Sequence, residues 1–213
     1  MSRAARDSIF GVALAAALAG GCGKQAAAPA PVATVAPPVD AGLAPPVSRA
    51  RRRMNIDQLD ASIRRATGLG WEANGQNLFE QFAPTLGKPD FVERTREDLD
   101  PSPIFQKFLD DAARSVCDRL VKGEPGSRPA DRVLFTAVPP GRVTGDPDPP
   151  AAVDANLRAL ILRFHGRKLA AGAPELDGWR WLYQSAYHVS ASPEQTWRTI
   201  CVGMITHPDF YLY

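Results

Sequence analysis

From Asn55 to Pro208 the apolar residues recur every three or four positions, the spacing of helices with one buried face. Ile56, Leu59 and Ile63 follow Asn55, a candidate N-cap, with Gln58 three residues on and Gly68 just past the end. That order predicts a capping-boxed helix with a glycine stop. Leu78, Phe79 and Phe82 predict a short helix stopped by Pro84, and "KPDFVERTREDL" starts another with Pro89 in its first turn. The clearest segment has Ser102 as cap, Pro103 as opener and one stripe of Ile104, Phe105, Phe108, Leu109, Ala112, Val116 and Leu120, with Cys117 at its edge. Val153, Leu157, Leu160, Ile161 and Phe164 mark the next helix, which Gly166 ends; Leu176, Trp179, Leu182, Tyr183 and Ala186 mark another. The last has a Ser192/Gln195 capping box, Pro193 in its first turn and a stripe of Trp197, Ile200, Cys201, Met204 and Ile205, and ends at Pro208. The sum is an all-α fold, a compact bundle of about six helices over residues 54–213. One segment departs from the pattern: "RVLFTAV", inside a run rich in Pro and Gly, reads as a short strand without a partner.

The first residues follow a different logic. Arg3 and Arg6 precede the apolar "IFGVALAAAL", which leads through small residues to Cys22. This is the order of a secretory signal, and Ile9 to Gly21 falls short of the about 20 apolar residues that span a bilayer. Leu18-Ala19-Gly20-Gly21-Cys22 resembles the lipobox of bacterial lipoproteins, with Leu18 one place upstream of the family's usual leucine. The resemblance implies cleavage after residue 21, acylation of Cys22 and a membrane anchor on several acyl chains, since one chain holds only marginally. Gly23 is not acidic, which by the same resemblance implies the outer membrane of an envelope, facing the periplasm. The alternative is a plain secretory signal that leaves a free Cys near the new terminus.

Residues 22–53 are dominated by Ala and Pro and carry almost no large side chains, so they cannot bury a core and are expected to be a disordered tether. Extended polyproline chain of that length reaches roughly 80 Å. Arg49, Arg51, Arg52 and Arg53 form a basic cluster at its end, expected as a solvated charge run or as a contact to anionic lipid. The formal net charge is +2, and without residues 1–21 the chain is close to neutral. Nothing there points to nucleic acid.

With Cys22 assigned to lipid, Cys117 and Cys201 remain as an even pair in an oxidising compartment. A disulfide between them would join the middle of the domain to its last long helix, worth roughly 4 kcal/mol in the chain-entropy model. Two unpaired core thiols and a working dithiol are the alternatives. The chain has no Cys-x-x-Cys, P-loop, Rossmann fingerprint, Gly-x-Ser-x-Gly or His-Glu-x-x-His. His165, His188 and His207 lie near helix ends or on polar faces without a partner at ligand spacing, and are expected to meet terminal carbonyls, with a scattered metal site as the alternative. Asp110 and Asp111 fall outside their helix's apolar stripe near Lys107 and Arg114, the pattern of a solvated ion-paired face. The ending "DFYLY" is unusually apolar and could dock on a partner or pack back on the domain. No catalytic, cofactor-binding or metal-binding residue is predicted.

"LILRFHGRKLAAGAPELDGWRWLYQSAY" and "SPEQTWRTICVGMITHPDFYLY" resemble the C-terminal helical modules of domains of unknown function that accompany c-type cytochromes in planctomycetes and myxobacteria. The residues that carry the resemblance are Arg163, Gly166, Glu175, Trp197 and His207 to Tyr211. It implies a setting near an envelope redox system and transfers no catalytic residue. The expectation is a non-enzymatic accessory or protein-binding lipoprotein held at the membrane by Cys22. The alternatives are an envelope hydrolase or oxidoreductase assembled around Asp110, Asp111 and a histidine, or a dithiol redox protein.

Overall fold

A computed structural model describes residues 51–89, 91, 92 and 95–213. The expected signal, Cys22, Arg49 and nearly all of the Ala/Pro stretch lie outside the described residues. The chain divides into Met1–Val47 and Ser48–Tyr213, and the description concerns the second unit.

Helix α1 (Ile56–Thr67) starts on the expected capping box: Asn55 Oδ1 accepts from Gln58 N–H at 2.7 Å, and Gln58 Oε1 accepts from Asn55 N–H at 3.1 Å. Gly68, at φ +73°, ends it in the left-handed conformation that glycine adopts without strain. A two-residue antiparallel pair follows, β1 (Glu72–Ala73) with β2 (Gln76–Asn77). Asn74 and Gly75 turn between them, both at positive φ, as a tight hairpin requires. Asn77 then caps α2 (Leu78–Gln81). Trp71 packs edge-on against Phe79, 5.0 Å between ring centres, and also against Phe82 and Phe108.

The expected helix after Pro89 is not formed. Residues 91, 92 and 95–100 are bends and extended chain; 90, 93 and 94 lie outside the described residues. The backbone carbonyls there serve another segment: Leu99 accepts from Arg53 N–H at 3.0 Å, and Asp98 and Asp100 accept from the Arg53 guanidinium.

Helix α3 (Pro103–Gly123) is capped by Ser102 and buries Phe105, Leu109, Ala112, Val116 and Leu120, while Ile104, expected on that stripe, is half exposed. After it, "RVLFTAV" is not a strand. Its donors are taken by side chains instead: the buried Glu124 carboxylate accepts from Val133, Leu134 and Phe135 N–H at 2.7–2.9 Å. Asn156 Oδ1 accepts from Thr136 and Ala137 N–H, and its amide donates to the Leu134 carbonyl at 2.9 Å. Two polar side chains thus do what a neighbouring strand would have done.

Helices α4 (Pro150–His165), α5 (Asp177–Ser190), α6 (Pro193–Thr206) and α7 (Pro208–Tyr211) complete the all-α fold. Leu176 belongs to a 3-10 turn leading into α5, in which Tyr183 is the buried residue. Helix α6 is the central element. It packs mainly on α3 and α5 and also meets α4, and its whole expected stripe from Trp197 to Ile205 is buried. Pro208, expected only as the stop of α6, also opens the single turn of α7. Phe210 and Tyr211 are buried, and Leu212 bridges to Arg53, with Arg52 and Tyr213 exchanging backbone hydrogen bonds of 3.2 and 3.0 Å. Of the two expectations for "DFYLY", packing back describes Phe210 and Tyr211; Tyr213 stays exposed.

The basic cluster also divides. Arg51 and Arg52 are exposed, but Arg53 is 1% exposed and part of the core. Its guanidinium donates to the carbonyls of Leu86 (2.7 Å), Met54 (3.0 Å), Asp98 and Asp100 and lies 3.5 Å from Glu97. Five donors in a planar fork make such burial feasible. Among the described residues, no helix is long and apolar enough to cross a membrane.

Candidate functional site

Cys117 and Cys201 form a disulfide that ties α3 to α6, with 5.9 Å between their Cα atoms. Both residues are 0% exposed. A thiol or thiolate arriving from solvent must reach a sulfur to exchange with it, so this burial suits a staple and not a working dithiol. Cys22 lies outside the described residues.

Asp110 and Asp111 pair within their own helix, Asp110 with Arg114 at 2.6 Å and Asp111 with Lys107. These are i,i+4 pairs on a largely solvated face, as expected from their spacing. None of the described hydrogen bonds or ion pairs connects them to a histidine, so the arrangement does not assemble the acid/base site that the alternative reading placed there. His188 is exposed near the end of α5.

Two constellations escaped the sequence. The first centres on Asp148, 4% exposed in the Pro-rich stretch before α4. Its Oδ2 accepts from Trp197 Nε1–H at 2.8 Å and Tyr183 O–H at 3.2 Å; its Oδ1 accepts from Arg142 at 2.5 Å. Its backbone N–H donates to the Tyr183 hydroxyl at 3.0 Å. Burial pushes the Tyr183 hydroxyl up to about 12, so it stays protonated and keeps donating. Beside it opens a cavity of about 250 Å³, lined by Pro147, Pro150, Val153 and Tyr183 and walled by the Asp154–Arg180 pair. Arg180 donates to both Asp154 oxygens at 2.7 Å and to Asp177 at 2.6 Å, which holds the Asp154 carboxyl below its usual range. Every charged group around this cavity is already paired, and it is smaller than typical ligand pockets of about 300 Å³ and more. Asp148 pins a loop.

The second lies where α4, α6 and α7 meet. Separated by 42 positions, His165 and His207 stack with ring centres 5.0 Å apart, and Trp179 lies 5.8 and 5.6 Å from the two rings. One ligand atom from each of His165, His207 and Asp209 falls within 4.8 Å of the others. The Met204 carbonyl, 3.0 Å from His165 Nε2, can only accept, so Nε2 carries the proton and Nδ1 the lone pair. Burial lowers the His165 pKa and keeps the ring neutral at pH 7. His207 Nδ1 accepts from Asp209 N–H at 3.1 Å as the cap of α7 and sits 3.8 Å from Asp209 Oδ2. The meeting of His165 with a terminal carbonyl is as expected from the sequence; its meeting with a second histidine and a carboxylate is not. A chain spacing of 42 carries no motif, and only the packing of α4 on α6 and α7 brings the two rings together.

No protein-family model matches the chain, and neither a curated protein nor a solved structure matches it.

Proposed function

We propose that this chain is a lipid-anchored protein of a bacterial envelope, acylated at Cys22. Its helical domain acts as a non-enzymatic accessory or binding subunit, spaced from the membrane by the Ala/Pro tether. The observation that carries the export reading is the Cys117–Cys201 disulfide, fully buried between α3 and α6. Such bonds persist in oxidising compartments, the destination that the N-terminal signal encodes. The binding role has its support in the pairing of the carboxylates around Asp110, Asp111, Asp148 and Asp154, which commits them to holding the fold. The partner is an envelope protein, and the resemblance of the C-terminal third to cytochrome-associated modules makes a haem-bearing one the first to seek.

The test is fractionation of bacteria expressing the full chain or its Cys22→Ser variant. The wild type is expected in the detergent-extracted membrane fraction, recovering a partner at fixed stoichiometry, and the variant is expected to lose the membrane association. Equal partition of both proteins into the soluble fraction would contradict the anchor. A membrane-bound protein that emerges alone after mild crosslinking would contradict the accessory role.

A further inference from the structure

We infer that His165, His207 and Asp209 form a binding site for one divalent transition-metal ion of the zinc class, at the junction of α4, α6 and α7. The donor set is two imidazoles and a carboxylate, the set with which open zinc sites hold their ion while leaving a fourth position for water or another ligand. A single carboxylate oxygen with two ring nitrogens suits neither calcium nor magnesium, which take oxygen ligands.

The surroundings are those of ligands held in place. His165 is half-buried beside Trp179, and its Nε2–H is tied to the Met204 carbonyl, the backbone anchor that commonly orients a ligating histidine and leaves its other nitrogen free. His207 Nδ1 accepts from the Asp209 backbone N–H, with Asp209 Oδ2 3.8 Å from that nitrogen, so an ion taken by this lone pair replaces the cap bond. The three ligand atoms all lie within 4.8 Å of one another. Ligands at 2.0–2.1 Å around a tetrahedral ion are about 3.3 Å apart, so binding draws the three together. The side chains of His207 and Asp209 are 40% and 41% exposed and sit on the short α6–α7 corner, so they close onto the firmer His165.

Arg167 is the competitor. Its guanidinium lies 3.2 Å from Asp209 Oδ2 and 3.8 Å from Glu175, so the incoming ion must displace it from Asp209. An ion bound there clips the end of α4 to α7.

The experiment is titration of zinc chloride into the tag-free full chain in mild detergent, followed by calorimetry, with cobalt(II) absorption as a second readout. One zinc per chain is expected, with visible cobalt bands of a tetrahedral site and a raised melting temperature. His207→Ala is expected to weaken zinc more than about tenfold and abolish the cobalt bands in a protein that still unfolds cooperatively, with the metal-free melting temperature lowered only by the loss of the α7 cap. Asp209→Asn tests the carboxylate in the same way, and Arg167→Gln, which removes the competing cation, is expected to tighten binding. No zinc heat above the buffer, or an affinity unchanged by His207→Ala and Asp209→Asn in a protein that still folds, would overturn the assignment.

Discussion

The Arg53 guanidinium lies 4.6 Å from the centre of the Phe105 ring, which places a buried cation over the first turn of α3. The charge is held by four carbonyls and Glu97, and the ring supplies a face for it. A residue that reads as part of a solvated basic run therefore locks Leu86, residues 98–100, α3 and the C-terminal segment together.

Arg53→Met is expected to destabilise the domain by about 3 kcal/mol, because it leaves buried carbonyls and a half-hidden carboxylate without their donor. Arg53→Lys is expected to recover little, since one ammonium cannot fill a planar fork. Urea unfolding of the three proteins checks both. An Arg53→Met domain as stable as wild type would contradict the role given to this residue.

Glu124→Gln replaces an acceptor for three backbone N–H groups by a side chain that can present only one oxygen, and is expected to cost about 2 kcal/mol. The local signature is sharper than the global one. Amide hydrogen exchange of Val133, Leu134 and Phe135 is expected to accelerate beyond that of α3 core amides, and uniform protection across both sets would contradict the pairing.

Removal of the disulfide by the double substitution Cys117→Ala and Cys201→Ala is expected to lower stability by about 4 kcal/mol, as for closure of a long loop. The sequence separation is 84, and both sulfurs are buried, so the native bond is also expected to resist mild reductant under folding conditions. Thiol counting before and after denaturation measures this.

Tyr183 gives the domain an alkaline limit. Its hydroxyl, pushed up by burial to about 12 against about 10 in the unfolded chain, contributes stability that is whole below pH 10 and is lost as pH rises through 12. The loss over that window is about 3 kcal/mol. Urea midpoints of wild type and Tyr183→Phe are expected to draw together between pH 10 and pH 12, and a constant gap would contradict the assignment.

Much of the helical framework is legible in the sequence because its signals are local. Asn55 with Gln58, Ser102 with Pro103, Gly166, and Ser192 with Gln195 act within four residues of the helix ends they define. What is not legible is held by side chains acting across distance. Glu124 satisfies amides nine to eleven positions away, Asn156 reaches back across about twenty, and Arg53 reaches Leu86 and Asp98, so each reads as an ordinary surface residue in its own neighbourhood. The same holds for the His165–His207 pair. Two local signals carry more than their spacing suggests: Asn74-Gly75, a turn dipeptide whose flanking strands are too short to alternate, and His207-Pro208, which opens the single turn of α7.

The measurement that tests the central claim most directly is the intact mass of the protein purified from bacterial membranes, with its N-terminal peptide sequenced. The account predicts a chain that begins at Cys22 and carries acyl chains on that residue, with both modification and cleavage lost in Cys22→Ser. A chain retaining residues 1–21, or one cut elsewhere with an unmodified thiol at Cys22, would contradict it.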